Sequence, residues 1–174
     1  MKEYPISFTV EMLRLVIERR KTQTRRVAYR WQAGRLRRAA TMWECASAGD
    51  RLWIREPIYL DDRLLYNTGR AETRYLLDAG HACRRGRPFQ WHWRRATLPA
   101  MFMPRELARH FATIREIYFT RLLDITEAGA GSEGFASVEE FLAYWDKLNR
   151  HRVGCCSGAE PDVWVISFEL ERKA

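Results

Sequence analysis

Apolar and polar positions alternate in several short runs of this chain. The alternation is clearest at Leu52 and Ile54 and again at Val163 and Val165, where every second residue is apolar. Because the side chains of a strand point alternately to its two faces, a period of two is typical of a half-buried strand. We therefore predict strands over residues 5–9, 24–29, 51–59, 75–77, 115–123 and 162–171.

Other segments carry apolar residues at helical spacing. Leu13, Val16 and Ile17 share one face of a helix that Thr9 can cap. Ser137 opens a capping box ahead of a second amphipathic run. We therefore predict helices over residues 10–19 and 137–149, with a short glycine-limited helix over 126–133.

The predicted elements do not follow the βαβ pattern of a parallel sheet. A chain of 174 residues is long enough for one domain with a sizeable core and short for two. We therefore predict an α+β fold, a small mixed β-barrel with short helices packed outside it, in a single domain over residues 1–174. Residues 30–48 are predicted as a loop, and residues 60–100 as an insert with weak secondary structure.

Arginine dominates the charge of this chain. The net charge is +8, with 26 Arg and 4 Lys. Residues 1–121 hold 25 basic and 12 acidic residues, whereas residues 122–174 hold 5 and 10. Since guanidinium groups bind phosphate bidentately and stack on bases, this bias favours a nucleic-acid partner. The alternative is that the charge serves solubility or reflects a basic proteome.

The sequence shows no metal site and no cofactor motif. Adjacent Cys155 and Cys156 lack the spacing of zinc ligands, and the four histidines are scattered. No secretory leader pattern opens the chain, and no apolar run approaches the ~18 residues that span a bilayer. We expect a cytoplasmic protein with no metal, cofactor or membrane partner. A monomer is slightly favoured over an oligomer.

Six short motifs follow one another along nearly the whole chain. They are RKTQTRR at 20–26, GDRLWIRE at 49–56, MPR at 103–105, DITE at 124–127 with EG at 133–134, WDKLN at 145–149 and VWVISFE at 163–169. No single motif is specific, but in this order they resemble the ASCH-domain proteins, a branch of the PUA-like superfamily, in the versions found in phage and prophage genomes. Where the family pattern has glycine, this chain has Arg19, which either ends the preceding helix differently or lets it run on.

The resemblance implies a compact PUA-like β-barrel with a cleft between the barrel and its helices, and an association with RNA. A small bacterial branch of the family hydrolyses N4-acetylcytidine with a lysine, a threonine and a glutamate. By motif these correspond to Lys21, Thr24 and Glu133. Other members are associated with ribonuclease activity. The resemblance also implies that residues 60–100 are a family-variable insert.

Lys21, Thr24 and Glu133 have a chemical rationale of their own. A threonine hydroxyl becomes nucleophilic when a nearby base takes its proton. Burial among cations lowers the pKa of a lysine, and three phosphate-binding candidates, Arg20, Arg25 and Arg26, can supply those charges. A glutamate can then take the proton or orient the lysine. The plainer alternative is an ordinary Lys21–Glu133 salt bridge with Thr24 facing solvent.

Further arginines are candidates for phosphate contact. Arg26, Arg55 and Arg105 match arginines of the family pattern and suit a bidentate phosphate clamp. The alternative is surface solvation or pairing with nearby carboxylates. Glu56 follows Arg55 on a predicted strand, so the two point to opposite faces. If Glu56 is buried it requires a cation such as Lys21 or Arg26, which makes it a candidate for the cleft.

Trp91 and Trp93 flank His92 and precede Arg94 and Arg95 in the predicted insert. Aromatic and cationic side chains in one loop suit base stacking and phosphate contact. A packed hairpin is the alternative.

Together these features favour a protein that binds RNA, or a nucleotide or nucleoside, in a basic cleft. The alternative is a small hydrolase with a Lys-Thr-Glu site, acting on acetylated cytidine, or a ribonuclease. A third interpretation is a phage accessory protein that binds a host protein.

Overall fold

A computed structural model describes residues 1–32, 35–38, 42–62, 71–84 and 86–172 of the chain. The chain folds into two compact units. The first comprises Met1–Tyr4, Leu15–Arg51 and Thr113–Ala174, and the second comprises Pro5–Arg14 and Leu52–Ala112. Within the described ranges, no helix combines the length and the apolar character needed to cross a membrane.

Strands outnumber helices in the described part of the chain. The helices are α1 (Val10–Ile17), α2 (Glu127–Glu133) and α3 (Val138–Asn149). The strands are β1 (Glu3–Ser7), β2 (Gln23–Val27), β3 (Tyr29–Gln32), β4 (Arg35–Arg38), β5 (Arg51–Arg55), β6 (Ile58–Asp61), β7 (Glu72–Tyr75), β8 (Cys83–Arg84), β9 (Arg87–Pro88), β10 (Thr97–Leu98), β11 (Phe111–Arg121) and β12 (Asp162–Leu170). The predicted α+β class is therefore confirmed.

Five strands form one sheet in the order β1-β5-β11-β12-β2. A second sheet has the order β10-β6-β7, and β3-β4 and β8-β9 are two-stranded hairpins. A barrel requires the first and last strands of its sheet to be hydrogen-bonded to each other. Here β1 and β2 stand at opposite edges, so the described strands form an open sheet and not the expected closed barrel.

The predicted strands are present with shifted ends, except that the one over 75–77 overlaps β7 only at Tyr75, because Leu76 and Leu77 lie in the turn that follows. The predicted strand over 51–59 is divided into β5 and β6 around Pro57, which has no N–H with which to continue a ladder. The predicted loop over 30–48 is wrong where β3 and β4 pair, with Tyr29 opposite Arg38. The segment is so rich in arginine that the alternation of apolar and polar residues that indicates a strand is hard to recognise. Parts of that segment (33–34 and 39–41) and of the predicted insert (63–70 and 85) lie outside the described residues.

The core of the first unit combines α2, α3 and the β2–β12 pair. Its buried residues are Leu122, Ile125, Ala130, Phe141, Trp145, Val163 and Val165. In the antiparallel pairing, Val165 is opposite Arg25 and Val163 is opposite Val27. Because directly opposite residues share a face of the sheet, Arg25 lies on the face that packs on this core.

The second unit has its own core, built around the β10-β6-β7 sheet. The buried residues are Ile58, Tyr75, Ala82, Leu98, Met103 and Leu107. Trp53, Phe89, Trp91 and Trp93 are partly buried and pack against them.

The helix starts were predicted correctly. The hydroxyls of Thr9, Thr126 and Ser137 each accept a hydrogen bond from the backbone N–H three residues further on, at 3.3, 3.1 and 3.2 Å. These bonds satisfy N–H groups that the first turn of a helix leaves without a partner. Ile17, expected on the buried face of α1, is 37% exposed because it is the last residue of the helix.

A Schellman motif ends α1, and its left-handed residue is Arg19, with φ of 60°. The Arg19 N–H donates to the Val16 carbonyl at 3.0 Å, and the Arg20 N–H donates to that of Leu15 at 2.9 Å. The Lys21 N–H also donates to Leu15, at 3.0 Å. The helix therefore does not run on, and Lys21 is oriented by a turn for which glycine is the usual residue.

We expect Arg19→Gly to raise the free energy of unfolding by about 0.5 kcal/mol. The left-handed conformation costs an L-residue about 1–2 kcal/mol, and glycine removes this strain. Part of the gain is offset because glycine increases the entropy of the unfolded chain. Arg19→Ala is the matched control, because it removes the guanidinium but keeps the strain. Urea denaturation of the three proteins measures the difference. A glycine variant less stable than the alanine variant would contradict this account.

Candidate functional site

Lys21, Arg25 and Glu133 form a buried cluster in the first unit. Lys21 follows the turn that ends α1, Arg25 lies in β2, and Glu133 is the last residue of α2. Only 3, 5 and 2% of the surfaces of Lys21, Arg25 and Glu133 are exposed. The structure therefore brings together two of the three predicted catalytic residues, Lys21 and Glu133.

The two cations of this cluster share the Glu133 carboxylate. Nζ of Lys21 donates to Oε2 at 2.5 Å and to the Glu133 backbone oxygen at 2.9 Å. Nη1 of Arg25 donates to Oε1 at 3.1 Å and to the side-chain oxygen of Gln23 at 3.0 Å. Each cation thus has its own carboxylate oxygen. Lys21 also satisfies a carbonyl at the C-terminus of α2, where a positive charge is favourable.

The charges of the cluster do not balance when all three groups are ionised. Burial of an unbalanced charge is costly, and burial is the main cause that lowers the pKa of Lys21. Glu133 opposes this effect, while Arg26 and Arg25 lower the pKa of Lys21 further. In addition, Nε of Arg25 is buried with no hydrogen-bond partner among the described residues. Lys21 is therefore the cation that gives up its proton most readily.

Thr24 lies on the other face of β2. Because strand residues alternate, Thr24 and Arg26 point away from the face that Gln23 and Arg25 share. Thr24 is opposite Ile166 of β12 and is 1% exposed, so the alternative in which it faces solvent is wrong. Arg26 is half-buried, and its Nη1 donates to the Arg25 backbone oxygen at 3.2 Å.

Gly134 allows the end of α2 to approach the turn that carries Lys21. Its φ is 92°, and it is the left-handed residue of a second Schellman motif. A Cβ at this position would lie 2.8 Å from Cδ1 of Leu15. Glycine therefore serves both the backbone conformation and the close approach. Beside it, the Thr22 N–H donates to the Ser132 carbonyl at 2.9 Å.

In the second unit, Glu56 is fully buried and is paired with Arg109. Nε and Nη2 of Arg109 donate to the two carboxylate oxygens, each at 2.8 Å. Arg109 thus takes the place that we expected Lys21 or Arg26 to fill. The reason is strand pairing, since the N–H of Ile54 donates to the carbonyl of His110 at 3.0 Å and brings the two segments together.

Arg109 was missed in the sequence because no motif marks it. It also donates to both carboxylate oxygens of Asp78, at 2.8 and 3.0 Å, and its Cζ lies 3.8 Å from the ring centroid of Tyr75. At Gly80 a Cβ would lie 3.2 Å from Nη1 of Arg109. Burial, with the charge of Glu56, raises the pKa of Tyr75 to about 12. The sequence did indicate that a buried Glu56 needs a cation. It did not indicate that Arg109 is that cation.

Arg55 and Arg105 share the ring of Trp53. Their Cζ atoms lie 5.5 and 5.9 Å from its centroid, and Cζ of Arg105 also lies 4.8 Å from that of Phe111. Nη1 of Arg55 donates to the Met101 backbone oxygen at 2.7 Å. Nε of Arg55 is buried without a hydrogen-bond partner in the described ranges. Burial lowers the pKa of Arg55.

Trp91 and Trp93 belong to an aromatic cluster on the core of the second unit. We use this name for Phe89, Trp91, His92 and Trp93. Nε1 of Trp91 donates to the backbone oxygens of Trp93 and Arg95 at 2.9 and 3.0 Å and so holds the segment in place. His92, Arg94 and Arg95 are exposed. The tryptophans of this segment therefore pack on the core, whereas its arginines are exposed to solvent.

Arg20, the remaining predicted phosphate contact, is exposed and pairs with Glu18 at 3.3 Å. Exposed pairs of this kind contribute little to stability, so the guanidinium stays accessible to a ligand.

The described residues thus define an α+β protein with a buried Lys-Arg-Glu cluster in one unit and an arginine- and tryptophan-rich surface in the other. Among them, no group of three or more His, Cys, Asp or Glu is placed to hold a metal ion. The chain matches no protein-family model, no curated protein and no solved structure. Its function is therefore inferred from its residues.

Removing the shared carboxylate should destabilise the protein more than removing one of its cations. Glu133→Gln leaves Lys21 and Arg25 buried without an anion, which we expect to lower the free energy of unfolding by about 3–5 kcal/mol. Lys21→Met leaves a balanced Arg25–Glu133 pair and is expected to cost about 1–2 kcal/mol. Guanidinium denaturation at neutral pH measures both values.

The pH dependence separates charge imbalance from lost packing. In Glu133→Gln the pKa of Lys21 falls further below the free value of 10.5. Between these two values the unfolded chain holds a proton that the folded chain has lost, so stability rises with pH. Lys21→Met lacks this rise. Equal losses in the two variants at every pH would show that charge balance is not what the carboxylate supplies.

Proposed function

We propose that this chain is an ASCH-type protein with a PUA-like fold that binds single-stranded RNA through the aromatic cluster of its second unit. The observation that carries the proposal is the combination of a half-buried Trp93 with exposed cations beside it, Arg94 and Arg95. Neither arginine forms an ion pair with another described residue. Both are therefore available to phosphate groups.

The aromatic cluster is suited to stacking because its rings support one another. The Phe89 and Trp93 rings are stacked with centroids 5.8 Å apart, and Trp91 meets Trp93 edge-on at 4.9 Å. An indole held in this way loses little side-chain freedom when a base stacks on it. Such stacking is worth about 1–3 kcal/mol per base, and adjacent arginines add salt-dependent phosphate contacts.

Single-stranded RNA fits this cluster better than a duplex does. A base must be unstacked from its neighbours before it can lie on a side-chain ring, and single strands present such bases. The choice of RNA over DNA rests on the resemblance to the PUA-like superfamily. The turn that ends α1 supports this resemblance, because Arg19 has the left-handed conformation at the position where the family pattern has glycine.

Binding of a single-stranded RNA oligonucleotide should weaken steeply with salt and depend on Trp93. We expect Trp93→Ala to raise Kd by about tenfold, the loss of one stacked base. Replacing both Arg94 and Arg95 with Gln should make the slope of log Kd against log salt shallower by about 0.7 per lost phosphate contact. Fluorescence anisotropy over a salt series measures both effects.

Trp93→Phe keeps an aromatic face and should retain most of the affinity. Tyr118→Ala is the matched control, because Tyr118 is 40% exposed but belongs to β11 in the first unit. Binding that does not respond to salt, or an equal loss in Tyr118→Ala and Trp93→Ala, would exclude the aromatic cluster as the RNA site.

The buried cluster of the first unit favours a second candidate function, hydrolysis of an amide on a modified nucleoside. The specific observation is the 2.5 Å hydrogen bond between Nζ of Lys21 and Oε2 of Glu133, together with burial that lowers the pKa of Lys21. A neutral amine in this position is a general base. Thr24 would be the nucleophile, and N4-acetylcytidine is the substrate that the resemblance implies.

In this mechanism Oγ1 of Thr24 attacks the acetyl carbonyl carbon while neutral Lys21 takes the proton of the Thr24 hydroxyl. The bond from that carbon to N4 breaks, and the proton passes through Glu133 to the leaving amine, which releases cytidine. Water then hydrolyses the acetyl-threonine ester to give acetate and restore Thr24. The mechanism requires Oγ1 of Thr24 to come within hydrogen-bond distance of Nζ of Lys21.

Release of acetate from N4-acetylcytidine tests this candidate. We expect the rate to rise with pH as Lys21 loses its proton, with a midpoint below 10.5. Thr24→Ala and Lys21→Ala should each lose at least about a hundredfold in kcat. Thr22→Ala, at an exposed neighbouring threonine, is the control. Wild-type protein that leaves the substrate intact would exclude the activity, and RNA cleavage lost in Lys21→Ala would instead assign ribonuclease chemistry to this cluster.

A further inference from the structure

Arg55 is a partly buried cation that contacts no carboxylate among the described residues. Its contacts are the ring of Trp53 and the backbone oxygen of Met101. A guanidinium taken out of water is usually compensated by an anion, as Arg109 is by Glu56 in the same unit. Arg105 adds a second positive charge on the ring of Trp53. Two guanidinium groups therefore lie on this ring.

The hydrogen bonds of Arg55 leave the Nε–Nη2 edge of its guanidinium without a hydrogen-bond partner among the described residues. Bidentate ligands use either the Nη1–Nη2 edge or the Nε–Nη2 edge. Nη1 donates to Met101, whereas Nε is buried without a hydrogen-bond partner in the described ranges. An anion that binds Nη2 and draws Nε toward it would satisfy a donor that is otherwise desolvated without compensation. The spacing of this edge matches two oxygens of a phosphate.

An exposed aromatic residue follows the carbonyl that accepts from Arg55. The carbonyl that accepts from Arg55 belongs to Met101, and the next residue, Phe102, is 54% exposed. Met101 itself is 59% exposed. Phe102 is thus an exposed aromatic residue next in sequence to the one whose carbonyl accepts from Arg55, and its ring can support a base whose phosphate is bound by the guanidinium.

The geometry points to a nucleotide-phosphate site in the second unit. Arg55 binds two phosphate oxygens through its Nε–Nη2 edge, Arg105 adds positive charge, and Phe102 supports the base. The inference rests on the proposed RNA-binding function for its biological ligand. It shares no residue with the aromatic cluster, so the two can be tested separately.

The Nε–Hε resonance of Arg55 reports directly on this edge. It is identified in a ¹⁵N correlation spectrum by its loss in Arg55→Lys. We expect this resonance to shift and saturate as orthophosphate is added, and again with cytidine 5′-monophosphate at an affinity about tenfold higher because the base stacks. In Phe102→Ala the affinity for cytidine 5′-monophosphate should fall to that for orthophosphate.

Arg55→Gln should weaken nucleotide binding at least about tenfold. Arg105→Gln leaves the Nε–Nη2 edge of Arg55 intact and should weaken nucleotide binding about threefold. This variant keeps the proposal testable if Arg55→Gln does not fold. Arg87→Gln, at an exposed arginine of β9, is the control and should change the affinity less than about twofold.

An unmoved Arg55 resonance, or an equal loss in Arg87→Gln, would overturn the site. If RNA binding depends on Trp93 while phosphate leaves Arg55 unmoved, this inference fails and the proposed function stands. If phosphate moves Arg55 but RNA does not bind, the phosphate site stands and the proposed RNA-binding function fails.

Discussion

The first unit depends on one buried carboxylate. Glu133, at the end of α2, pairs with Lys21 from the turn after α1 and with Arg25 from β2, so a single anion joins three segments that are distant in the sequence. Neither cation is stable in the interior without an anion. One carboxylate faces two cations here, and burial lowers the pKa of Lys21 despite this anionic partner. Burial in this cluster is therefore what can give Lys21 the character of a base, while its ion pair with Glu133 works in the opposite direction.

The second unit reverses this balance. There a single cation, Arg109, faces the carboxylates of both Glu56 and Asp78, and its donors are engaged by them. Arg55 in the same unit contacts a ring and a carbonyl oxygen but no carboxylate among the described residues. Arg109 is thus a structural residue, whereas Arg55 retains donors for a ligand. In a chain this rich in arginine, the partners of each guanidinium distinguish function from stability better than its position in a motif does.

The two faces of β2 show how a strand separates possible roles. Arg25 and Gln23 lie on the face of the buried cluster, while Thr24 and Arg26 lie on the other. The motif that contains them suggested one site with adjacent working residues. Alternation divides that motif between two environments, so the hydrolase candidate depends on how Lys21, which precedes the strand, reaches Thr24. RNA binding by the aromatic cluster does not require Lys21 to reach Thr24.

Local features were predictable because they depend on neighbours in the sequence. Thr9, Thr126 and Ser137 cap their helices as their spacing indicated, and the α+β class follows from the order of the elements. Lys21 and Glu133 were paired in advance only through a family resemblance. The partner of Glu56, the β3–β4 hairpin and the open order of the main sheet were decided by tertiary structure. The physical reason is that strand pairing and buried charge are satisfied by residues far along the chain, and periodicity carries no information about which distant segment will supply them.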